Sequence, residues 1–265
     1  MTHPALRPGG LLLVFLAFLL PGIPGVEAPS PGVVVWKFDD LRTGPRGNVS
    51  AIKPVVAWSR STGTPISLGV IADRLHEATS DEIQWLQVSA AERGGTVEFW
   101  LHGWDHRKVT DAQGTTIGFE FKGTGLTSQT ASLRQSQEAM QQIAGLTCTT
   151  FGAPYNASDA DTPQALDTLP EVTVWLFGPP GDTRRQVLPA SLRLETKTGV
   201  VSSAAFFAAY DRGPRPRLLV LQGHSPYWNQ ASFTEFVRIA DRLRSDGWVS
   251  RLPRACRDLG ERLMP

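Results

Sequence analysis

The chain has 265 residues, with 26 lysine and arginine residues against 25 aspartate and glutamate residues, so its formal net charge is +1. This balance gives no electrostatic support for binding nucleic acid, and we predict no nucleic-acid partner. A hydrophobic content of 41%, with 25 glycines and 20 prolines, is typical of a globular protein and excludes a disordered or fibrous one.

The N-terminal residues have the pattern of a secretory signal peptide. An unbroken apolar run over 11–20 follows a short segment that carries Arg7, and a helix-breaking stretch ends at Ala28. This apolar run is too short to cross a membrane as a helix, which needs about 20 residues. We therefore expect a cleaved signal peptide over 1–28, export to the periplasm, cell envelope or exterior, no membrane insertion after cleavage, and a single domain over 29–265.

Short apolar runs typical of buried strands recur along the mature chain. The first three lie at 33–38, 66–71 and 96–101. Further runs lie at 149–151, 172–177, 217–221 and, more briefly, 248–249. Within these runs and the helices, we expect five tryptophans to be core residues: Trp36, Trp58, Trp85, Trp100 and Trp175.

Amphipathic helical patterns alternate with these runs. Two are predicted over 81–93 and 128–146, and a third has an apolar stripe over 233–243 with Gly247 at its C-cap position. Alternating strands and helices favour a parallel α/β architecture. The length suits a single (β/α) barrel, and we predict an incomplete one.

Polar residues capable of binding a metal ion directly follow several predicted strands, where a barrel gathers its chemistry. Asp39-Asp40 ends the first run, and His102 to His106 follows the third. Two histidines at i and i+4 on a helical turn lie close enough to bind one ion, and a carboxylate completes a catalytic ligand set with open positions. The alternatives are two ordinary surface histidines and an acidic turn whose carboxylates bond nearby backbone N–H groups.

The order of these motifs resembles that of a known family. Four motifs stand in the order seen in the polysaccharide deacetylases, the NodB homology domain of carbohydrate esterase family 4: Phe38-Asp39-Asp40, His102-x-x-x-His106, Pro154-Tyr155 and Leu221-x-x-His224. The resemblance covers nearly the whole mature chain. Each motif alone is weak, whereas four in this order, each after a predicted strand, are specific.

The resemblance implies a deformed (β/α) barrel that holds one divalent cation, most often Zn²⁺, with Co²⁺ or Mn²⁺ as alternatives. The implied cation ligands are Asp40, His102 and His106. Asp39 is the implied general base that takes a proton from the attacking water, and His224 is the implied general acid. The backbone N–H of Tyr155 is implied to stabilise the oxyanion.

The implied reaction is removal of acetyl groups from an N-acetylated glycan, such as an exopolysaccharide or a cell-wall polymer. Asn156 can bond a sugar hydroxyl, and Trp228 either stacks on a sugar ring or packs within the core or a loop. Asn156, Trp228 and Pro154 are the predicted substrate contacts. Glu120 either borders the cleft or is solvated. Two alternatives stay open: a hydrolase of the same fold that acts on another amide or an O-acetyl ester, and a glycan-binding protein without turnover. The oligomeric state is not predicted.

The sequence also departs from the family pattern. Most members have an arginine just ahead of the motif-three proline, where it pairs with the catalytic aspartate, and residues 150–153 contain none. Gly103 stands where a serine or threonine is usual. The motif that orients the acid histidine has no clear match, and Asp211 and Arg212 are candidate substitutes. These differences predict a divergent member and leave a changed substrate or lost activity open.

Cys148 and Cys256 are the only cysteines of the chain. In an exported protein they either form one disulfide or serve as two small buried hydrophobes. Their spacing does not indicate a metal site.

Overall fold

A parallel sheet built on the first apolar run forms the centre of the molecule. The computed structural model describes residues 32–213 and 216–257, and the predicted signal peptide lies outside them. The strands are β1 (Val33–Leu41), β2 (Ile66–Val70), β3 (Val97–Leu101), β4 (Lys108–Thr110), β5 (Thr116–Phe119), β6 (Thr150–Phe151), β7 (Val174–Leu176), β8 (Gln186–Leu188), β9 (Glu195–Lys197), β10 (Val200–Val201), β11 (Leu218–Gly223) and β12 (Val249–Ser250).

Seven of these strands form one curved sheet in the order β11, β1, β2, β3, β6, β7, β8, and every pairing along it is parallel. β12 adds to the first residues of β1. The barrel is nearly closed but incomplete. Its two end strands, β8 and β11, are not paired with each other within the described residues. The prediction of an incomplete (β/α) barrel is confirmed. β1 is buried along almost its whole length, as is usual for a strand inside a parallel sheet.

Within the part of the chain that the structure describes, six α-helices accompany the strands: α1 (Val49–Thr62), α2 (Ser80–Ser89), α3 (Leu126–Ala139), α4 (Asp161–Leu166), α5 (Ser203–Tyr210) and α6 (Gln230–Ser245). The predicted last helix is confirmed as α6, which is capped by the Asn229 side chain. The predicted helix over 81–93 ends earlier, at Ser89. The one over 128–146 begins at Leu126 and finishes in a π-helical turn before Gly145.

The structure contains elements that the sequence patterns did not predict. Helix α1 was missed because Pro54 lies inside it, and a proline there usually argues against a helix. Its buried stripe of Ile52, Val55, Val56 and Ser59 nevertheless has helical spacing and faces the barrel. Two antiparallel hairpins, β4–β5 and β9–β10, were also missed, because their strands are short and largely exposed.

The core confirms the predicted burial of the tryptophans. Trp36, Trp100 and Trp175 are fully buried, while Trp58 and Trp85 are partly buried and pack against the core. Cys148 and Cys256 are free, buried thiols, so the disulfide alternative is wrong for this structure. None of the helices within 32–213 and 216–257 is long and apolar enough to span a membrane.

Candidate metal centre and active site

Asp39 and Asp40 reach one cleft because β1 is irregular near its end. Consecutive side chains of a regular strand face opposite sides. Here the pairing with β2 shifts register between Phe38 and Leu41, and Asp40 has a φ of 69°, in the left-handed region. The side-chain amide of Asn48 donates to the Asp40 carbonyl oxygen at 2.6 Å and holds the bend. An irregularity of this kind re-aims side chains and is common beside active sites.

His102 and His106 are brought together by a loop. β3 ends at Leu101, and both Gly103 and His106 have positive φ values, 79° and 57°, which a right-handed helix does not allow. The helical turn predicted from the i, i+4 spacing is therefore wrong. The proximity inferred from it is correct, since the two ring centroids are 5.1 Å apart.

Glu120 shapes this loop from inside the protein. Its buried carboxylate accepts hydrogen bonds from the backbone N–H of Trp104 at 2.5 Å and of His106 at 2.8 Å. A Cβ atom at Gly103 would lie 2.5 Å from Glu120 Oε2, which explains a glycine at that position. Burial raises the pKa of Glu120, although the two backbone donors oppose the shift. Glu120 is thus neither solvated nor at the cleft border, but behind the histidine loop.

The three predicted cation ligands converge. Asp40 Oδ1 lies 3.3 Å from His102 Nε2 and 3.3 Å from His106 Nε2, and the three ligand atoms lie within 4.8 Å of one another. Asp40 Oδ1 and His102 Nε2 are buried without a hydrogen-bond partner. His102 Nδ1 is 2.7 Å from the Gly152 carbonyl oxygen, an arrangement that makes Nδ1 the donor and leaves Nε2 a lone pair. Although burial favours a neutral acid, the two imidazoles hold the pKa of Asp40 well below its usual range. Two imidazoles and a carboxylate with orphaned atoms fit a divalent cation.

Asp39 is paired with a buried lysine on its own strand. Lys37 Nζ lies 2.6 Å from both carboxylate oxygens of Asp39, and Gln222 Nε2 donates to Asp39 Oδ2 at 2.6 Å. The absence of an arginine ahead of Pro154 therefore does not leave Asp39 without a cationic partner. Lys37 was not among the predicted site residues. The available signal was a lysine inside an apolar strand, two residues before an aspartate and hence on the same side.

His224 is oriented by Glu195, from the β9–β10 hairpin. Its Nδ1 is 2.7 Å from Glu195 Oε2, and its backbone N–H donates to Oε1 at 2.7 Å. Burial opposes the charged ring, but the hydrogen bond to Glu195 and the nearby carboxylates raise the pKa of His224. Asp211 and Arg212, the candidate substitutes for the motif that orients this histidine, have other partners. Asp211 pairs with Arg242, and Arg212 Nε donates to the Ala208 carbonyl oxygen. Because the hairpin is far from His224 in sequence, no local pattern revealed Glu195.

The turn after β6 presents Tyr155 and Asn156 to the cleft. Both have left-handed φ values, 58° and 52°. The Tyr155 ring lies against His106, with centroids 4.2 Å apart, and its hydroxyl donates to the His106 carbonyl oxygen at 3.1 Å. Asn156 Nδ2 donates to Gln222 Oε1 at 3.0 Å, while Pro154 is buried.

A cavity of about 840 Å³ gathers the candidate ligands with Asp39, Tyr155, Asn156 and His224. A second cavity of about 530 Å³ adjoins it and shares Asn156, Thr198, Gln222 and His224. Pro154 and Trp228 are not among the residues that line either cavity, and their contact with substrate stays a prediction. The Trp228 indole packs against Phe38 and Phe236 and donates to Glu195 Oε1 at 2.5 Å. Its neighbour Tyr227, 57% exposed, lines the larger cavity instead.

The sequence matches no protein-family model and no curated protein. The fold, in contrast, is similar to solved structures of carbohydrate esterase family 4. A family 4 acetyl xylan esterase from Clostridium thermocellum, solved with a cobalt ion, is 13% identical over 86% of this chain and 91% of its own, with a TM-score of 0.56. The peptidoglycan deacetylase PdaC from Bacillus subtilis is 11% identical over 89% of this chain and 94% of its own, with a TM-score of 0.57.

A pseudoenzyme of the same family from Bacillus anthracis is 8% identical over 87% of this chain and 67% of its own, with a TM-score of 0.58. The predicted resemblance to family 4 carbohydrate esterases is therefore confirmed at the level of the fold. Since similar structures include an esterase, a deacetylase and a pseudoenzyme, the fold does not decide between turnover and its loss. That question depends on the site.

Proposed function

We propose that this protein is an exported, metal-dependent deacetylase that acts on an N-acetylated glycan. The observation that carries the proposal is the convergence of Asp40, His102 and His106, with buried ligand atoms that lack protein partners. A divalent cation held by this set, Zn²⁺ by preference, supplies a Lewis acid that lowers the pKa of water to near neutrality. Export is proposed from the N-terminal pattern alone.

The residues around the ligands have the arrangement that amide hydrolysis requires. Asp39, 3.8 Å from His102 Nε2, is placed to take the proton of the attacking water. His224 lines the same cavity and is placed to protonate the leaving nitrogen, which is a poor leaving group without that proton. Tyr155 lines the same cavity, and we assign its backbone N–H to the oxyanion.

A glycan is the substrate class that the cleft favours. Two exposed tyrosines, Tyr155 and Tyr227, line it and offer aromatic faces to sugar rings, and Asn156 offers an amide to a hydroxyl group. The similar structures act on acetylated xylan and on peptidoglycan according to their names, which supports an acetylated polysaccharide.

Two other functions remain as outcomes of the test. Hydrolysis of O-acetyl esters is favoured by the similarity to an acetyl xylan esterase. Glycan binding without turnover is favoured by the similarity to a pseudoenzyme. Against the second, both Asp39 and His224 are tied to buried partners, Lys37 and Glu195, and binding alone needs neither group.

The test is acetate release from two matched panels, N-acetylated and O-acetylated oligosaccharides, by the mature chain after chelation and after addition of Zn²⁺, Co²⁺ or Mn²⁺. We expect one equivalent of bound cation and cation-dependent release from the N-acetylated panel. Release from esters alone supports the esterase, whereas tight cation binding without any release supports the binding protein. If the mature chain does not bind one equivalent of any of these cations, the proposed metal site itself is contradicted.

A further inference from the structure

Lys37 is a buried charged group in the site whose role the proposed chemistry does not define. Its side chain is fully buried in the middle of β1. All three of its ammonium protons have acceptors, since Nζ is 2.6 Å from Asp39 Oδ1, 2.6 Å from Asp39 Oδ2 and 3.3 Å from Asn156 Oδ1. The rings of Trp100 and Phe177 complete its surroundings, with centroids 5.0 Å and 4.8 Å from Nζ.

Burying a lysine side chain at this position is unfavourable for the stability of the fold. Taking an ammonium ion out of water is strongly unfavourable, and replacing a buried ion pair by apolar side chains is often neutral or stabilising. The residues paired with Lys37 across the sheet, Ser67 and Gln222, are polar. The rings of Trp100 and Phe177 nevertheless offer apolar surface to an uncharged chain of similar length, such as methionine. The charged pair therefore indicates a requirement other than stability.

The contacts of Lys37 indicate what that requirement is. The ammonium group links Asp39 to Asn156, and Gln222 makes a second link by donating to Asp39 and accepting from Asn156 Nδ2. Asn156 belongs to the turn with two consecutive left-handed residues that carries Tyr155. The Lys37 ammonium group thus connects the strand that bears the proposed base with the turn that bears the proposed oxyanion donor.

We propose that Lys37 is a positioning residue, which fixes the Asp39 carboxylate and the Asn156 turn in a single arrangement beside the ligand set. This inference rests on the proposed function, because it assigns the purpose of the arrangement to the hydrolysis step. It also explains how the site keeps an ordered base although residues 150–153 offer no arginine.

Two substitutions separate charge from shape. Lys37→Met keeps an unbranched chain of similar length and removes the charge, whereas Lys37→Arg keeps the charge and changes the shape. If Lys37 positions the base, kcat falls about 10²-fold in Lys37→Met with little change in KM or cation stoichiometry, and Lys37→Arg retains more turnover. Lys37→Met with full turnover, or with more turnover than Lys37→Arg, overturns the proposal. Lys53→Met, on the exposed face of α1, is the matched control and should leave kcat unchanged.

A stability measurement tests the same pair without activity and covers the case in which Lys37→Arg does not fold. Thermal unfolding of Lys37→Met, Asp39→Asn and the double variant forms a double-mutant cycle. Each single change leaves a buried charge unpaired, so we expect both single variants to melt lower than the unmodified chain and the double variant to recover part of the loss. Strictly additive shifts overturn the pairing. Absence of acetate release by the unmodified chain contradicts the proposed function alone, since the cycle does not depend on turnover.

Discussion

Two adjacent carboxylates of one strand have different partners, and this difference defines their chemistry. Asp40 faces His102 and His106, whereas Asp39 faces Lys37 and Gln222. In a regular strand the two side chains would lie on opposite faces, and only one would reach the cleft. The register shift and the left-handed φ of Asp40 bring both to the same cavity.

The first prediction separates these two roles. Asp40→Ala should lower cation affinity and acetate release together, because two imidazoles remain to hold the ion. Asp39→Asn should keep the cation and lose about 10²–10⁴-fold in rate, because an amide does not accept the proton. Cation stoichiometry and turnover of both variants, measured in parallel, give the answer. A cation-free Asp39→Asn beside a cation-replete Asp40→Ala would reverse the assignment.

A second prediction concerns the pair of His224 and Glu195. A general acid works only while protonated, and the raised pKa of His224 keeps the ring protonated to higher pH than an isolated imidazole. Glu195→Gln removes the negative partner, so the pKa of His224 should fall and the alkaline limb of the rate profile should move to lower pH. The measurement is kcat/KM against pH on an amide substrate. An alkaline limb at the same pH as in the unmodified chain would show that Glu195 does not tune His224, and Glu138→Gln, an exposed acid on α3, is the control.

Among the elements, the loop over 102–106 depends most on a residue distant in sequence. Glu120 follows the β4–β5 hairpin, and its two carboxylate oxygens accept hydrogen bonds from the backbone N–H groups of Trp104 and of His106, which is in the left-handed region. The hairpin therefore leads directly to the carboxylate that orders a ligand loop.

The third prediction tests this contribution. Glu120→Gln leaves one carbonyl oxygen for two N–H donors and turns an amide NH₂ toward one of them, so His106 should lose its fixed position. Groups that orient a ligand typically change metal affinity by about 10–100-fold when altered. We expect weaker Zn²⁺ binding by competition with a chelator, with retained helix and strand content. Unchanged affinity would limit Glu120 to a purely structural role, and Glu138→Gln again serves as the control.

The elements also show which parts of the site were accessible from the sequence. Motifs next to strands, such as Asp39-Asp40 and His102, were found because the apolar run that precedes each one is a strong signal. Glu195 and Glu120 were not assigned, since hairpins of short polar strands carry no periodicity and their carboxylates meet the site only through tertiary contacts. Sequence alone did not decide the position of Trp228, because an aromatic residue beside a motif packs inward as readily as outward; its ring packs against Phe38 and Phe236.

At the scale of the whole molecule, the predicted site residues and a buried carboxyl group that affects stability lie at different ends of the barrel strands. The predicted site residues follow or end β1, β3, β6 and β11, and they gather at the carboxyl ends of these strands. Glu98 is buried near the amino end of β3, at the opposite end of this strand from the site. It accepts hydrogen bonds from Thr150 Oγ1 at 2.5 Å and from the backbone N–H of Arg254 at 3.0 Å.

The last prediction follows from that buried carboxyl group. Burial raises the pKa of Glu98 from 4.5 to about 7, against the opposing effect of its two donors. Between these two values the folded chain keeps a proton that the unfolded chain has lost. The stabilisation from this group is therefore fully present below about pH 4.5, declines as the pH rises above that value, and is lost once the pH has passed about 7. The difference corresponds to about 3 kcal/mol.

Glu98→Gln is a neutral mimic of the protonated acid that keeps an acceptor for Arg254. We expect the variant to match the unmodified chain below about pH 4.5 and to be more stable above pH 7, with a flatter dependence of the unfolding free energy on pH. Denaturant unfolding at a series of pH values measures this, and acetate release by the variant should be unchanged because Glu98 lies outside the cleft. Parallel pH curves for the variant and the unmodified chain would show that Glu98 ionises in the folded protein as it does in the unfolded one.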